Sequence, residues 1–449
     1  MKSAIPAPAA LLILLPFLLL VSCARPGGEY SGPPCLDVLE LPQDLNVYSG
    51  KAGGNMPLLA PETQTAAAAR QKELFYKPWS KSQAGPGLRK LLRAHFNLRP
   101  EKAYINEQDP FPAQVWAELA ENCNEAAYGQ GAAPAITVRR TDLRAMPTRE
   151  RFYLRPDLPG EGYPFDYFQH SALQPGVPLY ISNISRDGAW VLAENASSSG
   201  WLPAADVAGV DAAFMQDWQS RPLAALLRDH TQIGEIEGGI GALLPLARTA
   251  GRQGLVICYP RREASGMAGK AEFGIGADAV APVPLTLSAD NVARIGNAML
   301  GQPYAWGNLD RGRDCSGLTQ DLFTPFGIFL PRNSASQSRA GRVIPLTGLS
   351  LAEKEAVIKR EGAPFRTLIG LKGHIALYLG YYQDKGLMFH NIWGLRTRDA
   401  SGGCDNRAIV GKAVVTSLMP GIERPDLCSS GSLLERVEKA TILPADFGE

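Results

Sequence analysis

Cys315 lies in a run whose residue types suit nucleophilic chemistry. Gly307 and Gly312 punctuate the approach, Asp314-Cys315-Ser316-Gly317 follows, and Leu318, Leu322 and Phe323 continue at helical spacing until Pro325 and Gly327 close the segment. This pattern predicts a turn that delivers a cysteine to the start of a helix. A thiol there faces unpaired backbone N–H groups and the positive end of the helix dipole, both of which favour thiolate. Two of the five histidines, His374 and His390, come later, each in a strand-like stretch. A cysteine with histidines downstream is the raw material for acyl transfer through a covalent intermediate. Arg311, Arg313, Asp314 and Ser316 crowd the thiol, a costly neighbourhood to bury for packing alone.

Other elements must bring these groups together. Residues Ala289 to Leu300 read as a helix capped by Ser288 or Asp290, with Val292, Ile295 and Met299 facing inward. Leu349 to Arg360 reads as an inserted charged helix. His374 and His390 stand sixteen residues apart, and a turn around Gln383-Asp384-Lys385-Gly386 would join two antiparallel strands with the histidines side by side. His390 is the expected orienting partner of His374, with Asn391 and Asp384 as alternatives.

Tyr304-x-Trp306-Gly307, Asp314-Cys315-Ser316-Gly317-Leu318, Pro331-Arg332-Asn333-Ser334-x-x-Gln337, Gly373-His374-Ile375-Ala376-Leu377-Tyr378-Leu379-Gly380 and Phe389-His390-Asn391 occur in that order. Together they resemble the NlpC/P60 cell-wall cysteine peptidases across roughly residues 290–420. The resemblance implies a papain-like α+β fold with the cysteine on a helix packed against an antiparallel sheet. It also implies cleavage of γ-D-glutamyl–diamino-acid bonds in peptidoglycan stem peptides, without a cofactor. Carried onto this sequence, Cys315 is the nucleophile, His374 the base and His390 the third member. Tyr304 is a candidate oxyanion donor with the Cys315 N–H, and Asp314, Ser316 and Ser334 are candidate contacts to the substrate's N-terminal residues. Asn333 departs from the acidic residue that some relatives place there.

Upstream, the fold is multidomain. Residues 35–132 carry helical patches at Ala66–Phe75, Leu88–Phe96 and Val115–Cys123, which suggest a stabilising helical segment that clasps the other domains. From about residue 135, short alternating strands separated by Gly, Asn, Asp and Ser turns indicate small barrels. Ser185-x-Asp187-Gly188-x-Trp190 and Gly200-Trp201-Leu202 resemble a bacterial SH3-like domain at 133–218, and a second such barrel is expected at 219–287, before a catalytic domain at 288–449. Asp166, Tyr167, Asp187 and Trp190 are candidates to wall one end of the cleft and select a free N-terminal L-alanine, as the resemblance implies.

Lys2, the apolar run Ala9 to Val21 and Leu20-Val21-Ser22-Cys23 resemble a lipoprotein signal over residues 1–22. The resemblance implies acylation of Cys23, a tether at 23–34 and a membrane-anchored place in the cell envelope, on the outer-membrane side where there is one. Lys and Arg number 45 against 44 Asp and Glu, so nothing electrostatic argues for a nucleic-acid partner. No C-x-x-C or H-E-x-x-H spacing suggests a metal. Among the remaining cysteines, Cys404 with Cys428 and Cys35 with Cys123 are the natural disulfide pairs, leaving Cys258 free. The sequence leaves a muramoyl-L-alanine amidase and a non-catalytic wall-binding adaptor as alternatives to the endopeptidase.

Overall fold

The C-terminal region is built on a six-stranded antiparallel sheet with the spatial order Arg342–Pro345, Val437–Ile442, Thr367–Leu371, His374–Tyr382, Lys385–Thr397 and Asn406–Ser417. The computed structural model describes residues 35–444 apart from 96, 97, 99, 159, 250–253 and 400, so the signal-like segment and Cys23 lie outside the described residues. Helices Ala289–Met299 and Cys315–Phe323 cover one face of the sheet through Val292, Ile295, Met299, Leu318, Leu322 and Phe323. Ser288 is the cap of the first, its hydroxyl accepting from the Asn291 N–H. The inserted helix forms over Leu351–Glu361 behind a reciprocal capping box between Ser350 and Glu353.

Two β units precede this domain. The first is a seven-stranded antiparallel sheet in the order Gln169–Leu173, Thr141–Arg144, Ser199–Pro203, Trp190–Glu194, Pro178–Ile184, Ala133–Thr137 and Val207–Gly209. The second has five strands, in the order Ala268–Ile275, Leu255–Arg262, Leu243–Thr249, Leu223–Leu226 and Val280–Pro282, with the small hairpin Thr231–Ile233/Ile236–Gly238 beside it.

The helical segment forms at Pro61–Tyr76, Pro86–His95 and Ala113–Asn122, close to the predicted patches. Among the described residues, its apolar side chains join the cores of the neighbouring units. Leu41, Leu45, Tyr48 and Leu59 complete the core of the C-terminal region. Tyr76 and Trp79 pack into the core of the second β unit, whereas Leu88, Leu92, Phe111 and Leu119 pack against Phe152, Phe168 and Trp201 of the first. Helices too short to hold together in water are stable here because each buries an apolar face in a neighbour's core.

Cys404 and Cys428 form a disulfide. Cys35 and Cys123 do not: both are buried free thiols in separate clusters, Cys35 behind the C-terminal sheet and Cys123 under the first β unit. Cys258 is likewise buried and free. Among the described residues, no helix is long and apolar enough to cross a membrane.

Candidate active site

The loop before Cys315 runs through left-handed residues Gly307, Asn308, Asp310 and Arg311, then enters the helix Cys315–Phe323 with Asp314 as its cap. Gly317 is required by a close approach: a Cβ there would lie 2.0 Å from Asn308 Oδ1. Asn308 Oδ1 in turn accepts from the Asp314 N–H at 3.1 Å. Both β units grip this loop. Gln169 Nε2 donates to the Gly307 carbonyl at 3.1 Å, and Asp229 of the second β unit takes both Nη atoms of the buried Arg313 at 2.7 Å.

Asp314 has a different task from the expected one. Its Oδ1 accepts from the Gly317 N–H at 2.8 Å and the Ser316 hydroxyl at 3.0 Å, and its Oδ2 accepts from the Gly307 N–H at 3.0 Å. Arg332 binds both oxygens, at 3.1 and 2.7 Å. Burial pushes this carboxyl up, but Arg332 and the hydrogen bonds outweigh it and hold it below the ordinary value. With five donors already in place, the carboxylate is engaged within the protein rather than open to a substrate ammonium. Ser316, also buried, donates to Asp314 and accepts from Arg332 Nη1 at 2.9 Å.

The Pro331-to-Gln337 motif is thus a clamp. Arg332 reaches Ser171 of the first β unit through Nε at 2.8 Å. Gln337 donates to the carbonyls of Ser316 and Pro331, both at 2.8 Å. Asn333 caps the short helix Ser334–Gln337, accepting from the Ser336 N–H at 2.8 Å, and Ser334 opens that helix half-buried.

His374 begins one strand and His390 sits within the next, joined by a turn whose Gln383 and Asp384 adopt positive φ. The rings meet with His374 Nε2 2.7 Å from His390 Nδ1. Asn391 instead donates to the carbonyls of Arg313 and Pro303, steadying the cysteine loop. The N–H of Ile375, next to His374, lies against the Cys315 sulfur.

The electrostatics reverse the expectation of a ready thiolate. Cys315 is 6% exposed, and burial, reinforced by the Asp314 carboxylate, pushes its thiol up to about 12. The N–H groups of Ile375 and Ser316 and the charge of Arg332 pull the other way without matching it. Burial, with Arg436 adding to it, lowers His374 to about 3, and burial with His374 beside it lowers His390 well below its ordinary value. The resting pair is a neutral thiol and a neutral imidazole. Tyr304, held protonated by burial and by the nearby Cys315 and Asp314, is a neutral O–H donor close to the sulfur.

Aromatic rings from the first β unit close on this region. Phe165 lies 6.0 Å from Tyr304 and 5.4 Å from Trp306, Tyr167 lies 6.0 Å from Trp306, and Trp393 lies 6.0 Å from both Phe165 and Tyr304. Of the four proposed wall residues, only Tyr167 takes part. Asp166 is fully buried, accepting from the Phe152 and Phe168 N–H groups and pairing with Arg144 at 2.7 Å. Asp187 is spent on a turn with Ser185 and Ala189, which also carries Trp190.

A cysteine at a helix N-terminus, packed beside an antiparallel sheet that carries a histidine pair, is the arrangement of the papain-like cysteine peptidases. Residues 301–411 match the NlpC/P60 family, residues 12–128 the N-terminal stabilising domain of NlpC/P60 proteins, and residues 151–203 an SH3 domain of the SH3b1 type. The chain therefore carries an NlpC/P60 domain preceded by an SH3 domain of the SH3b1 type and the stabilising domain found in NlpC/P60 proteins. It is similar to an NlpC/P60 endopeptidase from Photobacterium damselae subsp. piscicida, with a TM-score of 0.79 and 26% identity over 90% of this chain and 97% of that one. It is 29% identical over 174 residues to a γ-D-glutamyl-L-lysine dipeptidyl-peptidase of Bacillus subtilis, covering 38% of this chain and 52% of the relative. A bifunctional muramidase/DL-endopeptidase of the same species is 37% identical over 108 residues, 23% of this chain and 29% of that protein. The chain thus spans about half the length of the first curated relative and less of the second.

Proposed function

We propose that the chain is a peptidoglycan-stem endopeptidase that hydrolyses the γ-D-glutamyl–diamino acid bond, the diamino acid being diaminopimelate or lysine, in stems with a free N-terminal L-alanine. The observation that carries this reading is the pair His374 and His390, with Nε2 of one 2.7 Å from Nδ1 of the other, the His374 strand also setting the Ile375 N–H against the Cys315 sulfur, in a chain resembling peptidases named for this bond. The first β unit's aromatic rings beside Tyr304 and Trp306 support a closed end to the cleft, suited to short stems.

In this mechanism the Cys315 thiol gives its proton to His374 as the sulfur attacks the γ-carbonyl carbon. Transfer on attack suits a pair that rests neutral, because the charges form only once substrate is in place. The oxyanion is met by the Tyr304 hydroxyl and the Cys315 N–H at the helix start. His374 then protonates the leaving amine, and water drawn by the same ring hydrolyses the thioester. The lipobox-like Leu20–Cys23 supports an envelope location with a lipid anchor at Cys23.

Mass spectrometry of L-Ala-γ-D-Glu-diaminopimelate, with the alanine amine free or blocked, tests the proposal with wild type and Cys315→Ala. Cleavage of the free peptide alone, absent in the variant, is the expected result. Equal cleavage of both peptides removes the free-terminus requirement. Cleavage of neither, with release of intact stems from muramoyl peptides, makes the protein an amidase.

A further inference from the structure

The histidine pair does not end at His390. On the outermost strand, Thr416 stands opposite Met388 while Val414 stands opposite His390, so Thr416 and His390 are diagonal neighbours on one face of the sheet. His374, four residues before Tyr378 on the adjoining strand, has the same facing, since Tyr378 also stands opposite Met388. Thr416 Oγ1 lies 3.0 Å from His390 Nε2, and both residues are essentially inaccessible to water.

Counting protons along this line fixes its direction. The single hydroxyl proton of Thr416 is donated to the Ser417 carbonyl at 2.9 Å. The oxygen is then only an acceptor toward His390, which must present Nε2–H to it. A neutral His390 protonated on Nε2 has a lone pair on Nδ1, and that lone pair receives the Nε2–H of His374 at 2.7 Å. His374 is left with its lone pair on Nδ1, the form that takes up a proton from a thiol.

The strand bearing Thr416 is an edge, and residues from the far N-terminal segment hold it on both sides of that position. Gln43 accepts from the Val415 N–H at 2.9 Å and donates to the Val415 carbonyl at 3.0 Å. Asp37 Oδ2 accepts from the Ser417 N–H at 2.9 Å and from its hydroxyl at 2.6 Å. The carbonyl that takes the Thr416 proton therefore belongs to a residue clamped in place.

We propose that Thr416 is a positioning residue that sets the tautomers of His390 and His374 through this one-way chain of hydrogen bonds. The assignment rests on the reading of Cys315, His374 and His390 as the catalytic groups. Removing the hydroxyl leaves His390 Nε2–H buried without an acceptor. That favours the opposite tautomer, whose Nδ1–H drives His374 to carry its proton on Nδ1, where it no longer serves as a base toward the thiol.

The test uses the full chain labelled with 15N-histidine, read by NMR near neutral pH, together with turnover of the free stem peptide. Wild type is expected to show protonated Nε2 on both His374 and His390. In Thr416→Val the proton of His390 moves to Nδ1 and kcat falls about 10–100-fold with KM nearly unchanged, as for loss of a partner that orients a working imidazole. Thr416→Ser restores both. Arg436 and Asp314, the charges acting on His374, and His374 itself, which acts on His390, are the same in each variant. A wild-type His390 protonated on Nδ1, or wild-type kcat in Thr416→Val, overturns the proposal. If wild type cuts no stem peptide, the catalytic reading fails, and the NMR pattern still decides whether Thr416 sets the tautomers.

Discussion

Arg332 and Asp314 form a two-pronged ion pair beside the thiol, with Nη2 2.7 Å from Oδ2 and Nη1 3.1 Å from Oδ1, both residues buried. Replacing Arg332 with Met strands a buried carboxylate at the helix cap. The expected loss is about 3–5 kcal/mol of unfolding free energy, measured by urea titration. Arg332→Lys is expected to recover little, since an ammonium has no fork to span Asp314 while also reaching Ser171. A change within experimental error for Arg332→Met would show that the pair does not hold the site together.

Gly317→Ala drives a methyl into Asn308, whose oxygen would lie 2.0 Å away. A cost of about 1–3 kcal/mol is expected from overpacking, with a larger drop in turnover because Asn308 also holds the Asp314 backbone. Adding Asn308→Ala is expected to relieve the clash, so the double variant should be more stable than the two single effects sum to. Simple additivity in thermal unfolding would contradict the contact.

The thiol pushed up to about 12 predicts slow alkylation. With iodoacetamide and no substrate, labelling of the Cys315 peptide should keep accelerating as pH rises beyond 9, followed by mass spectrometry. A plateau reached by pH 6 would mean a resting thiolate instead.

His374 and His390 titrate below the usual 6.5 when folded. The unfolded chain therefore takes up protons first as pH falls through 6.5, so their effect on stability is flat above that pH and becomes steadily unfavourable toward about 3. His390→Asn should lose part of this acid sensitivity, seen as a smaller drop in Tm between pH 7 and pH 5 than wild type shows. An equal drop in the two proteins would place the acid sensitivity elsewhere.

The Cys404–Cys428 bridge ties the loop between the last two long strands to a segment 24 residues on. Replacing both cysteines with Ala should cost about 3 kcal/mol, the size set by closing a loop of this length. Turnover near room temperature should persist, because the bridge touches neither histidine. Loss of turnover in a folded double variant would mean the hairpin's outer end also shapes the site.

Cys315, His374 and His390, the proposed catalytic groups, stood out in the sequence because such chemistry demands particular side chains in a particular order, and the strand turn between the histidines had its own signature. Thr416 carried no such signal, since a threonine in an alternating strand is unremarkable until its neighbour across the sheet is known. Arg332 stood inside a motif that resembled the family, yet its partners Ser171 and Asp314 lie in different parts of the chain. The thiol's direction of shift was misread for a related reason. The helix start is a local feature, whereas the burial that overrides it comes from packing. Asp166 looked like a residue of the cleft wall because Arg144, its internal partner, was not visible as such in one dimension.

Asp37 and Ser417 are joined across 380 residues of sequence, and Gln43 and Val415 across 372. During synthesis the first of these partners emerges long before the second exists, and both β units are made in the interval. The sheet edge at Thr416 is therefore finished only when nearly the whole chain is available, and such distant closures are slow to form. A half-made or truncated chain has an open edge and an incomplete core where Leu41 and Leu45 belong, so the chemistry arrives late, after the scaffold that governs it.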